Sequence, residues 1–339
     1  MQRNIFNLTT QLAWLTACIA LSGCGGNSDS PAPAPSGPDT ATRTLAATTT
    51  AQSSSNACAA IQPFYWETGD RTQRLASGSV NQSGNATTYT ADTLMSIASA
   101  SKWLYSAYVA ERRSGMLSAQ DIQFLTFNSG YTGLAPIGDC TPTDTIASCV
   151  ARGDNDLQTP AHVDRFYYNG GHMQKHASLS GGMNLGAMDN AALAAELRRL
   201  LGSDISLSYS QPQPAGGVRT TASDYARFLR KLLNNQLHMA ALLGSNKVCT
   251  NPATCPTALN TPITNGLNWN YASGHWVEDD ATRGDGAFSS AGAFGFYPWV
   301  DVSKTWYGIV ARSDAFGGGN ESADCGALIR KAWVTGSAL

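Results

Sequence analysis

Ser99 opens the only Ser-x-x-Lys in the chain, Ser99-Ala100-Ser101-Lys102, at the head of an apolar helical stretch from Trp103 to Leu117. In a helix, a lysine three residues after a serine lies one turn away on the same face. A serine hydroxyl is a poor nucleophile at neutral pH. An amine desolvated beside it can lose its own proton and accept the proton of the serine. Ser99 and Lys102 are therefore candidate nucleophile and base, and the fold must bring the head of an apolar helix to a cleft.

The chain has 339 residues, a net charge of −2 and only 14% charged residues, with no long run of one sign. A nucleic-acid partner would leave a basic footprint, and none is present. The 42% of apolar residues suffices for a full core. Residues 1–23 read as a signal peptide, with Arg3 as a thin n-region and Leu12 to Leu21 as an apolar segment too short to span a membrane as a mature helix. Leu21-Ser22-Gly23-Cys24 has the form of a bacterial lipobox, in which Cys24 becomes the acylated first residue. Residues 24–56, rich in Gly, Ser, Pro, Ala and Thr, read as a disordered tether. The expectation is a lipoprotein of the bacterial cell envelope. Gly25 rather than Asp after the cysteine implies the outer membrane, facing the periplasm or the exterior.

Six cysteines then remain for the folded part, an even number suited to disulfides in an exported domain. Cys140–Cys149 and Cys249–Cys255 each bracket a short polar loop, which leaves Cys58 with Cys325 to tie the two ends together. No Cys-x-x-Cys occurs, so zinc and thioredoxin-type chemistry have no support.

Strands are expected over 61–68, 74–81, 267–271, 295–300 and 306–311. Helices are expected over 93–116, 118–124, 191–201, 223–236 (capped by Ser223) and 323–334. Strands at both ends and helices between them indicate an α+β domain over 57–339 with one composite antiparallel sheet.

An ordered series of motifs runs through this domain. Ser99-Ala100-Ser101-Lys102 is followed by Phe124-Leu125-Thr126-Phe127-Asn128-Ser129-Gly130, then Tyr167-Tyr168-Asn169 with Gly170-Gly171. After these come Ala215-Gly216-Gly217-Val218-Arg219-Thr220-Thr221-Ala222-Ser223-Asp224 and Ser290-Ala291-Gly292. The series resembles the penicillin-recognising serine hydrolases, especially the class C β-lactamase and family VIII esterase branch. The resemblance implies an antiparallel sheet flanked by helices, a mostly helical subdomain, and no cofactor. It also implies Ser99 as nucleophile, Lys102 and Tyr167 as proton carriers, and Ser99 and Ala293 as backbone donors of an oxyanion hole. Asn169, Ser290 and Gly292 would meet the substrate, Asn169 also holding the lysine. A nearby ammonium such as Lys102 would lower the Tyr167 phenol and favour its phenolate.

The series also departs from the family. Phe127 stands where the family carries His, and Ser290 where it carries Lys or His. A hydroxyl at 290 donates one hydrogen bond but no charge, which disfavours substrates that need their carboxylate held. Arg219 or Arg283 could supply a cation from elsewhere. His172 and His176 are spaced for a metal, but no third ligand stands out, and they read as part of a polar helix. Asp285 and Asp301 read as loop residues. The aromatic residues of 268–276 and Tyr297-Pro298-Trp299 suit either a cleft lining or sheet packing. The absence of Gly-x-Ser-x-Gly argues against an α/β-hydrolase. The expected activity is cleavage of an ester or amide through a Ser99 acyl-enzyme. A D-alanyl-D-alanine carboxypeptidase or β-lactamase, and a non-catalytic member binding cell-wall peptide or a partner protein, remain open.

Overall fold

The computed structural model describes residues 37–135, 140–315 and 318–339. The signal peptide and Cys24 lie outside them. Among the described residues, no helix is long and apolar enough to cross a membrane.

The core is an eight-stranded sheet with antiparallel neighbours throughout. Its strands are β1 (Phe64–Gly69), β2 (Arg74–Val80), β3 (Val248–Cys249), β4 (Asn270–Ala272), β5 (His275–Val277), β6 (Phe288–Ser289), β7 (Tyr297–Val300) and β8 (Tyr307–Ala311). Their order is β2-β1-β8-β7-β6-β5-β4-β3. Pairing of β1 with β8, Tyr65 opposite Ala311, joins the two ends of the chain in one sheet. This is the composite sheet expected from the strand pattern.

Helices cover both faces. Tyr297 and Val310 pair across β7 and β8 and share one face, which packs against the C-terminal helix 319–335. Gly308 lies in the same row, where a Cβ would stand 2.2 Å from the Trp299 ring, so only glycine admits that indole. Tyr307 faces the other side and receives a hydrogen bond from Arg230 of the helix Ala222–Leu233. That helix is capped by Thr221, not Ser223, and starts one residue earlier than the pattern implied. The helix Ser101–Arg112 is buried on every side from Ser101 to Ala110. It is shorter than the expected 93–116, because Met95–Ser96 is a strand paired to Val218–Thr220 and Ala98 breaks the helical path.

The N-terminal boundary is corrected. Residues 40–51, expected within a disordered tether, form a helix capped by Asp39, whose carboxylate accepts from the Thr42 amide at 2.7 Å. Ala47 and Ala51 are fully buried, and this face packs on the C-terminal helix. Alanine is the best helix former, and its small side chain permits close helix contact. Composition poor in large apolar residues hid this helix, since its stability comes from docking and not from its own hydrophobicity. The folded unit therefore begins at Pro38 rather than at residue 57.

Arg43 locks the contact. Its guanidinium donates to the Trp333 and Val334 carbonyls at 2.6 and 2.8 Å and stacks over Trp306. It thereby satisfies carbonyls that a helix C-terminus leaves open. The Asn56 amide donates to the Leu339 carbonyl, and Cys58 is bonded to Cys325, so the start of the folded unit is laced to its C-terminal end. Cys140–Cys149 and Cys249–Cys255 are also bonded, as the spacing indicated.

Replacing Arg43 with Ala removes three charge-assisted hydrogen bonds, to the Pro38, Trp333 and Val334 carbonyls, at a half-buried site. It is expected to cost about 1–2 kcal/mol of unfolding free energy. A urea midpoint unchanged from that of the parent would show that the N-terminal helix docks without it.

Candidate active site

Ser99 lies in a tight turn, Ala98–Ala100, that runs directly into the helix Ser101–Arg112. Ala98 has φ +44°, a left-handed conformation that costs an alanine about 1–2 kcal/mol. The turn persists because its neighbours over-determine it. The Ile97 amide donates to the Val218 carbonyl at 3.1 Å, and the Val218 amide donates back to Ser101 Oγ. The Tyr225 hydroxyl donates to the Ala100 carbonyl at 2.9 Å, and Ser290 Oγ donates to the Ser99 carbonyl at 3.2 Å.

Lys102 follows one turn later, as the spacing implied. Its Nζ lies 2.9 Å from Ser99 Oγ and 2.8 Å from the Ala215 carbonyl. Burial lowers its pKa to about 7. Near neutrality much of the protein therefore carries a free amine whose lone pair can accept the serine proton. The Ala-Gly-Gly motif was visible in the sequence, but the part its first carbonyl plays was not.

The tyrosine of the site is Tyr168, not Tyr167. The Tyr168 phenol lies close enough to the Ser99 hydroxyl to be drawn down in pKa by it, and Lys102 Nζ stands 4.9 Å from its ring centroid. Tyr167 turns its ring onto His162, centroids 4.8 Å apart. Successive residues of an extended segment face opposite ways, so only one of two adjacent tyrosines can face the serine. The Tyr-x-Asn spacing pointed to Tyr167, whereas the ring beside Lys102 is that of Tyr168. Burial pushes the Tyr168 phenol up, and the nearby Ser99 hydroxyl offsets this only in part. The expected phenolate is therefore replaced by a neutral phenol.

Asn169 is a turn residue. Its amide oxygen accepts from the Gly171 amide at 2.7 Å and its nitrogen donates to the Leu134 carbonyl at 3.0 Å, so it does not hold the lysine. The tract 290–292 does lie along the nucleophile segment. A Cβ at Gly292 would stand 2.1 Å from the Ile97 oxygen, which requires glycine there. The buried Ser290 hydroxyl is spent on the Ser99 carbonyl instead of facing a substrate. Ala293 follows at an exposed turn. Arg219 is exposed on the strand 218–220, and Arg283 donates to the Asn265 carbonyl.

His172 and His176 belong to the helix Gly171–Ser178, but both are buried rather than on a polar face. His176 bonds Tyr105 and Asp121, and His172 bonds Ser129 and the Tyr167 carbonyl. Among the described residues no group of three side chains could hold a metal. Asp285 is paired with the buried Arg330, and Asp301 accepts from the Thr305 and Trp306 amides of its own loop. Trp269, Tyr271 and Trp276 are buried and packed on one another, and Trp276 stacks on Tyr168 at 5.4 Å.

No family model and no curated protein matches the chain. Solved structures do. A β-lactamase/D-alanine carboxypeptidase from Yersinia pestis superposes with a TM-score of 0.58 at 12% identity, over 86% of this chain and 99% of that one. EstCE1, a hydrolase with promiscuous acyltransferase activity, superposes at 0.57 and 12% identity, over 87% and 98%. A β-lactamase from Mycobacterium bovis gives 0.53 and 14%, over 81% and 96%. The chain has the fold of the β-lactamase and penicillin-binding-protein-like serine hydrolases, the superfamily its motifs resemble.

The tyrosine assignment predicts a clear asymmetry. Tyr168→Phe should slow labelling of Ser99 by a fluorophosphonate at least ~100-fold, the scale of a lost acid–base group. Tyr167→Phe should stay within a few-fold of the parent. The reverse order would restore Tyr167 to the site.

Proposed function

We propose that the protein is a serine hydrolase that cleaves a neutral ester or amide through an acyl-enzyme on Ser99. The observation that carries this reading is the buried Lys102 amine 2.9 Å from Ser99 Oγ, with its pKa lowered to about 7. Lys102 in its free-amine form takes the Ser99 proton as Oγ attacks the carbonyl. The Ser99 and Ala293 amides receive the developing oxyanion. The neutral Tyr168 phenol gives its proton to the leaving alkoxide or amine and recovers one from the Lys102 ammonium. Water then attacks the acyl-enzyme with Lys102 again as base, and the acid leaves.

The preference for a neutral substrate is supported by the third motif. Ser290 carries no charge and its hydroxyl is engaged. Arg219 is exposed and Arg283 donates to the Asn265 carbonyl; among the described residues no side-chain hydrogen bond joins either one to the site. We also propose export by residues 1–23 and anchoring through lipid on Cys24 at the outer membrane. The three disulfides support an oxidising compartment.

Ser99→Ala should abolish turnover of a short-chain p-nitrophenyl ester without unfolding the protein. Turnover near that of the parent would remove Ser99 from the mechanism. Because the free amine is the active form, log kcat/KM should rise with pH below about 7 and level off above it. A profile flat from pH 5.5 to 8.5 would exclude Lys102 as the base. The ester should also be cleaved with a higher kcat/KM than nitrocefin, by roughly ten- to a hundredfold, the worth of one missing ion contact. The opposite preference would favour the β-lactamase reading.

A further inference from the structure

We propose that His172 is the positioning residue that sets the Tyr168 phenol against Ser99. The inference rests on the hydrolase reading above and extends it to a residue that touches neither the serine nor the lysine.

The peptide joining Tyr167 to Tyr168 is held at both of its polar atoms. His172 Nε2 donates to its oxygen at 2.9 Å. Its N–H donates to the Asn260 carbonyl at 3.0 Å. A peptide unit is planar, so pinning the oxygen and the N–H also fixes the Tyr168 Cα. Ring contacts repeat the constraint: His172 stacks on Phe127 at 5.2 Å, and Phe127 meets Tyr168 edge-on at 5.3 Å. Phe127 itself has φ +62°, rare for a bulky residue, and its carbonyl accepts from the Tyr167 amide at 3.0 Å.

The chemistry of the imidazole suits this task alone. A carbonyl can only accept, so Nε2 carries the hydrogen and Nδ1 is the acceptor. Nδ1 is met by the Ser129 hydroxyl at 2.6 Å. One donor and one acceptor are each satisfied, and the side chain is fully buried. Burial pushes its pKa down to about 3 against the bond to Tyr167, so the ring stays neutral. It therefore neither competes with Lys102 for the serine proton nor adds a second positive charge beside it.

The test is a comparison in two backgrounds. His172→Phe keeps a ring on Phe127 but loses both hydrogen bonds. In the parent it should lower kcat for a p-nitrophenyl ester about 10- to 100-fold, with KM within about threefold, the scale of a reacting group displaced by about 1 Å. In Tyr168→Phe, where the phenol is already gone, it should change the Ser99 labelling rate by less than about threefold. His172→Gln, which retains an N–H, should fall between the parent and His172→Phe. If His172→Phe does not fold, as judged by circular dichroism, the glutamine variant carries the same comparison. The proposal is overturned if folded variants match the parent, or if they lose the same factor with and without the Tyr168 hydroxyl. A parent chain that neither cleaves esters nor is labelled at Ser99 would overturn the hydrolase reading itself. A labelled parent with unaffected His172 variants would overturn only the positioning role.

Discussion

Lys102 is buried against the Ser99 hydroxyl and the Ala215 carbonyl, and among the described residues no carboxylate is bonded to it. Removing an ammonium from water without an opposing charge destabilises its charged form. A fall from the ordinary lysine value of 10.5 to about 7 corresponds to roughly 5 kcal/mol. Between these two pH values the unfolded chain holds the proton and the folded chain does not. The folding cost of burying Lys102 therefore shrinks as pH rises through that window. The same desolvation that carries this cost makes the amine reactive near neutrality.

The same burial divides the proton work between two side chains. Loss of hydration moves an amine toward its neutral form by lowering its pKa, and keeps a phenol neutral by raising it. Lys102 is thereby suited to take a proton and Tyr168 to give one. The aromatic wall of Trp276, Tyr271 and Phe127 packed against the Tyr168 ring thus has an electrostatic consequence as well as a packing one. Around this pair the backbone is held from three sides: the strand 218–220, the tract 290–292 and the phenol of Tyr225. The strained Ala98 turn can persist there because several independent bonds would have to break to release it.

The closure of the molecule serves the same end. Strands from the two ends of the chain lie side by side, and Arg43, Asn56 and Cys58 tie the N-terminal segment to the C-terminal helix. That helix backs β7, and the tract 290–292 folds against Phe296 and Pro298 at the approach to β7. Support for the nucleophile segment therefore reaches back to contacts made by the first folded residues.

Much of this was legible in the residues. Ser99 and Lys102 follow from helical geometry, because neighbours one turn apart must share a face. The disulfide pairs follow from short polar brackets and from what they leave over. The α+β sheet follows from apolar strands at both ends of the chain. Other features were decided only by tertiary structure. Residues 40–51 became a helix because a distant helix offered a face for small alanines and carbonyls for Arg43, and composition records neither. Tyr168 and not Tyr167 faces the serine because the strand's inward side depends on what packs behind it, whereas spacing is the same for both faces. Asn169 and Ser290 have the residue types of substrate contacts, yet their polar atoms are taken up by the Leu134, Gly171 and Ser99 backbone. A sequence lists which groups can donate and accept. Which partner each one meets is settled only when segments far apart in the chain are packed together.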